Sequence, residues 1–143
     1  WLWYKNYKTG INLMKKKYLI VVADYYKDIA DGLINSALKI IPKKNIIKII
    51  KVPGAFEIPV TISKLINKYD GFIAIGCIIK GETTNFDLIS KAITNGIMSL
   101  SISNKKPIGN SILTLLKKKQ AFNRFNRGKE AAKAVYQVLK IEN

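Results

Sequence analysis

Four short runs of β-branched apolar residues, each followed by a longer amphipathic stretch, leave this chain few ways to fold. The runs are residues 18–23, Ile46–Val52, Gly71–Ile79 and residues 107–113. The third is apolar throughout, as expected of a central strand covered on both faces. Between the runs the apolar spacing changes from two to about 3.6. Residues 28–41 place Ile29, Leu33, Ala37, Leu38 and Ile41 on one helical face. Residues 56–68 turn Ile58, Ile62, Leu65 and Ile66 inward, and Pro59 falls in the first turn, where its missing N–H breaks no helical bond. Residues 86–103 do the same with Ile89, Ala92, Ile93, Gly96, Ile97 and Leu100. Residues 117–125 and 128–141 are expected to close the chain as helices. Strands that alternate with helices form a parallel sheet through right-handed crossovers. The expected fold is therefore α/β: a single-domain three-layer sandwich, with a four-stranded parallel sheet flanked by helices on both faces. No internal repeat, low-complexity linker or second domain interrupts it. At 143 residues, such a domain buries about two-thirds of the surface its unfolded chain exposes.

The side-chain inventory narrows the chemistry. The sequence has no His and one Cys. A Ser-His-Asp or Cys-His nucleophile pair cannot be built, nor can a Cys/His zinc site or a disulfide within one chain. Chemistry falls to carboxylates, Lys, hydroxyls, backbone dipoles and the reactivity of the substrate itself. The formal net charge of +16 points to acidic partners, either phosphorylated small molecules or nucleic acid. There are 23 Lys and 2 Arg. That skew fits compositional drift in the coding DNA as well as phosphate recognition, and most of the Lys are expected to form a solvated surface. Arg124 and Arg127 carry more weight, because the guanidinium fork grips phosphate in two places.

Near the amino end, Lys15, Lys16 and Lys17 precede the apolar run 19–23, which Asp24 ends. The run is too short for a signal peptide or a membrane span, so a cytoplasmic protein without a membrane partner is expected. The sequence opens on Trp1, and Met14 begins a cleaner start. Residues 1–13, with Trp1, Trp3, Tyr4 and Tyr7, read as an extension, either a tail or an arm that packs on a neighbouring subunit. Residues 14–143 form the α/β domain.

In an open α/β sheet, ligands gather beyond the carboxyl ends of the strands. Three loops there carry unusual residues. The first is Asp24-Tyr25-Tyr26, where Tyr25 either stacks on a flat ring or packs in the core. The second is Pro53-Gly54-Ala55-Phe56-Glu57, where Glu57 either compensates a helix dipole or accepts bonds from ligand hydroxyls. The third runs from Lys80 to Asp87. Gly81 allows close backbone approach, and the N–H groups near Thr83 and Thr84 suit an anion at a helix start. The competing reading is ordinary capping by Thr84 or Asn85. Cys77 reads first as a buried, inert thiol whose backbone could line a pocket.

VPGAFEIP at 52–59, GCIIKGETTNFD at 76–87 and NRGKEAA at 126–132 together resemble the lumazine synthase family, the β chains of the riboflavin synthase complex. The resemblance covers residues 18 to the end. It implies the sheet described above, a pentamer with active sites at subunit interfaces, and in some members twelve pentamers closed into a sixty-subunit shell. Riboflavin synthase is implied as a further partner. The implied reaction joins 5-amino-6-(D-ribitylamino)uracil to 3,4-dihydroxy-2-butanone 4-phosphate. It yields 6,7-dimethyl-8-ribityllumazine, the riboflavin precursor, with loss of phosphate and water and with no metal or organic cofactor.

By position, the resemblance implies that Tyr25 stacks on the pyrimidine and that Ala55, Phe56 and Glu57 hold the ribityl chain. Cys77, Ile78 and Ile79 would read the pyrimidine edges through their backbone. Glu82, Thr83 and Arg124 would bind the phosphate. Several positions depart from the pattern. Asn85 stands where the family has its proton-transferring His, and an amide cannot titrate. Asn110 stands where the family has a Phe that reaches the pyrimidine across the interface. Tyr26 replaces an Asn. The stretch after Arg124 is shortened and lacks a Lys, and the threonine-rich loop is reduced to Leu113-Thr114-Leu115. A slowed enzyme is expected. The other classes are a catalytically silent oligomeric scaffold of the same fold and a Lys-surface nucleic-acid binder. The spread charge and the absence of an RNA-binding signature speak against the latter.

Overall fold

The computed structural model describes residues 15–141; the extension expected over residues 1–13 lies outside them. Four strands form one parallel sheet: β1 (Lys17–Ala23), β2 (Ile46–Val52), β3 (Gly71–Ile79) and β4 (Ile108–Leu115), in the spatial order β2-β1-β3-β4. Four α-helices join and follow them: α1 (Lys27–Leu38), α2 (Ile58–Leu65), α3 (Phe86–Asn104) and α4 (Asn126–Leu139). The expected three-layer α/β fold is what forms. Among the described residues no helix is long and apolar enough to cross a membrane.

Strand alternation sorts the core into two halves. Tyr18, Ile20 and Val22 of β1 and Ile73 and Ile75 of β3 face α1 and α4, against Ile29, Leu33, Ala132 and Val135. Leu19 and Val21 of β1 and Phe72, Ala74 and Ile78 of β3 face α2 and α3, against Ile58, Ile62, Ile93 and Ile97. Both inner strands are thus dry on both faces, which explains why the third apolar run has no polar alternation. Each large side chain so buried contributes about 1.5–3 kcal/mol. The edge strand β2 is largely exposed.

Three expected helices differ in extent: that over 56–68 shortens to Ile58–Leu65, behind a 3₁₀ turn at Ala55–Glu57. The first stops at Leu38 rather than 41. Ile41 still reaches the core at 4% exposure, but from the turn that precedes β2. The stretch 117–125 forms only a 3₁₀ turn, Lys118–Asn123. Its start is closed by Gln120, whose Oε1 accepts N–H bonds from Leu116 at 3.0 Å and Lys117 at 3.1 Å. Pro59 sits at the start of α2, as expected.

α1 and α4 approach closely because Gly128 lies in the first turn of α4. A Cβ built on Gly128 would collide with the Leu33 carbonyl oxygen. That contact is with backbone and cannot be relieved by a side-chain rotation. Gly128→Ala should therefore push the helices apart and cost about 1–3 kcal/mol, as overpacking does. Urea unfolding followed by circular dichroism reads this as a lower midpoint. A Cβ on Gly81 meets nothing within 4 Å, and Gly81→Ala should change stability by less than about 0.5 kcal/mol.

Candidate functional site

The strand order creates a crevice. β1 leads into α1 on one face of the sheet, while β3 leads into α3 on the other. The two exits diverge, and the gap between them is the topological switch point where α/β folds bind ligands. Register deepens it. β1 pairs with β3 only from Tyr18↔Gly71 to Val22↔Ile75. β3 runs on beside β4 to Ile79↔Leu115. Residues 76–79 therefore have a strand on one side only.

A cleft of about 350 Å³ occupies this gap. Its walls come from Ala23, Tyr25 and Tyr26 after β1, Gly54, Ala55 and Phe56 after β2, Cys77 and Ile78 of β3, Glu82 and Thr83 after β3, and Ile89 of α3. Tyr25 is 77% exposed and Phe56 64% exposed, so neither ring is core. Two flat apolar faces thus stand free at the mouth. Cys77 is only half-buried and lines the cleft rather than lying sealed in the strand.

Polar groups converge at one end. The Tyr26 hydroxyl donates to Glu82 Oε1 at 3.1 Å, across the gap between the first and third loops. The Tyr25 and Tyr26 rings pack edge to face with centroids 4.9 Å apart. Lys118 Nζ stands 5.5 Å above the Tyr26 ring and 3.9 Å from Asp28 Oδ2. Partial burial, then the bond to Glu82 and the charge of that carboxylate, push the Tyr26 phenol up to about 12. Burial first, and then the Glu82 charge, push the Cys77 thiol up to about 11, with Lys118 acting the other way. Both groups hold their protons at neutral pH.

Next to the cleft lies a second depression of about 420 Å³, lined by Lys80, Thr83, Asn85, Phe86, Asp87 and Leu88. Asn85 has φ 57° and ψ 46° and makes no side-chain cap bond to α3. Its role there is not ordinary capping; it supplies the left-handed turn that starts the helix, a conformation that Asn, Asp and His adopt more readily than other side chains. Among the described residues no three His, Cys, Asp or Glu side chains gather where they could hold a metal ion.

A model of the 6,7-dimethyl-8-ribityllumazine synthase family matches residues 15–143. The curated 6,7-dimethyl-8-ribityllumazine synthase of Agrobacterium fabrum is 36% identical over 143 residues, covering 91% of this chain and 97% of its own length. Its counterpart from Methylobacterium radiotolerans is 37% identical over 142 residues, covering 94% and 87%. That from Bartonella bacilliformis is 38% identical over 117 residues, covering 78% and 77%. The chain belongs to the 6,7-dimethyl-8-ribityllumazine synthase family. It is accordingly an enzyme, a transferase of riboflavin biosynthesis with small-molecule substrates, and its family forms oligomers.

Of the positions that the lumazine synthase pattern singles out, Tyr25, Ala55, Phe56, Cys77, Ile78, Glu82 and Thr83 share the cleft. Glu57 lies just behind it, its Oε1 3.1 Å from where a Cβ on Gly54 would sit. Its own carbonyl accepts the Thr61 hydroxyl at 2.8 Å. Ile79 is sealed beneath, at 2% exposure. Asn110 and Arg124 are exposed and lie elsewhere. Asn110, opposite Ala74 in the ladder, turns its Oδ1 back to accept the Ile112 N–H at 3.0 Å. Arg124 closes the 3₁₀ turn after β4. Sequence reasoning missed Lys118, for which no local signal exists. Ile89, read from its spacing as an inward helix position, packs against the core and also lines the cleft.

The thiol offers a direct probe of the cleft's charge. Iodoacetamide should label Cys77 slowly at pH 8, with a rate that climbs toward about pH 11. Glu82→Gln removes a charge that opposes the thiolate and should speed labelling at fixed pH. Lys118→Met should slow it. Mass spectrometry of labelled protein follows both, and equal rates in all three proteins would mean that these charges do not reach the sulfur.

Proposed function

We propose that this chain catalyses the condensation of 5-amino-6-(D-ribitylamino)uracil with 3,4-dihydroxy-2-butanone 4-phosphate, forming 6,7-dimethyl-8-ribityllumazine, phosphate and water. The observation that carries this reading is the cleft at the β1/β3 switch point, with Tyr25 and Phe56 free at its mouth and the strand end of Cys77 and Ile78 as its floor. The pyrimidine lies against Tyr25, with its edge on the backbone of residues 77–79. The ribityl chain runs along Ala55, Phe56 and Glu57. The phosphate sits by the N–H groups of Glu82 and Thr83.

Asn110 and Arg124 lie away from the cleft of their own subunit. In this reading they serve a neighbouring one, so that the site is completed in a pentamer or in a shell of pentamers. Arg124 then grips the phosphate as a fork. The reaction needs little from the protein besides placement. An aryl amine adds to a ketone, and orientation of two reactive partners removes several kcal/mol from the barrier. Asn85 moves no proton, which makes the enzyme slow rather than dead, since acid–base help is worth about 100–10,000-fold.

Purified protein supplied with both substrates should generate the lumazine absorbance above the uncatalysed background. Asn85→His should raise that rate by up to about 100-fold. An unchanged rate in Asn85→His would refute the account of the missing imidazole. Product formation no faster than without protein would leave a silent scaffold.

A further inference from the structure

Besides the exposed Tyr25 phenol at its mouth, three groups that can carry a proton line the cleft: Tyr26, Cys77 and Glu82. The Tyr26 phenol and the Cys77 thiol keep their protons at neutral pH, for the reasons given above. Asn85 carries no titrating group and belongs to the adjoining depression. Glu82 is the one carboxylate in the cleft wall. The Tyr26 hydroxyl donates to its Oε1 at 3.1 Å, which orients this exposed carboxylate. The Tyr26 ring is steadied in turn by Tyr25 at 4.9 Å and by Lys118 at 5.5 Å, whose other neighbour is Asp28. A carboxylate held by a phenol at the wall of a substrate cleft is the arrangement of a general base and its orienting group.

We infer that Glu82, oriented by Tyr26, removes the proton whose loss expels phosphate. This rests on the condensation proposed above. Once the aryl amine and the ketone have formed an imine, the neighbouring carbon bears a hydrogen and a hydroxyl, and the next carbon bears the phosphate. Glu82 takes that hydrogen as a proton. The C–H electron pair becomes a double bond to the terminal carbon. The bond from that carbon to the phosphate oxygen breaks, and the oxygen keeps its electron pair. The product is an enol. The terminal carbon then recovers a proton from the Glu82 carboxylic acid, and the enol hydroxyl gives its own to the departed phosphate. This restores the carboxylate and leaves a ketone for ring closure. Base and leaving group must flank adjacent carbons, and Glu82 adjoins Thr83 in the loop assigned to the phosphate. Tyr26 is a positioning residue; Glu82 is the catalytic one.

The test uses the full chain with both substrates and three variants. Glu82→Gln should lose about 100-fold or more in kcat, with pyrimidine binding by equilibrium dialysis unchanged. Glu82→Ala should recover part of its rate in added formate, which enters the vacated space as a replacement base, while the parent gains nothing. Tyr26→Phe should lower kcat more than it changes KM. Parental kcat in Glu82→Gln, or no recovery of Glu82→Ala with formate, overturns the assignment while the condensation stands. A parent that forms no lumazine overturns both.

Discussion

Every useful feature of this molecule depends on two adjacent strands being buried on both faces. β1 and β3 can be central only if helices cover each side, and that forces the chain to cross the sheet between them. Because all four strands are parallel, their carboxyl ends lie along one edge. Because the chain switches faces at β1 and β3, the loops at that edge part there. The cleft is thus a by-product of how the hydrophobic layers are satisfied. The close seating of α4 on α1 at Gly128 holds one of those layers in register.

The cleft's character follows from what surrounds it. Its exposed rings, Tyr25 and Phe56, stand at the mouth, while the Tyr26 phenol, the Cys77 thiol and the Glu82 carboxylate line its wall and the Lys118 ammonium stands over the Tyr26 ring. Partial burial makes each charge there felt by its neighbours, which is why the Cys77 thiol registers both Glu82 and Lys118. In a chain of such strong positive charge, a single acid facing the cleft stands out more than any of the many lysines.

The fold was legible because its signals are periodic and redundant. Four apolar runs with helical spacing between them admit few topologies, and the uninterrupted run at Gly71–Ile79 names the central strand by itself. The errors lie where periodicity is an incomplete guide. Ile41 points inward because it is apolar, although the helix has already ended. The segment after β4 has helical spacing but is governed by the Gln120 amide. The cleft residues were legible as motifs, since VPGAFE and KGETTN lie on loops at the same sheet edge. Tyr25 and Cys77, left open between core and ligand by the sequence, are not sealed in the core and line the cleft. Lys118 was illegible, because only the packing of the 3₁₀ turn beside α1 brings it to Tyr26.

Asn85 separates what the backbone needs from what chemistry needs. Its left-handed geometry filters side chains by shape, and both an amide and an imidazole pass that filter. Selection for folding alone would accept either residue with indifference. The left-handed turn that opens α3 therefore sets a backbone demand that the amide meets and that an imidazole would meet as readily.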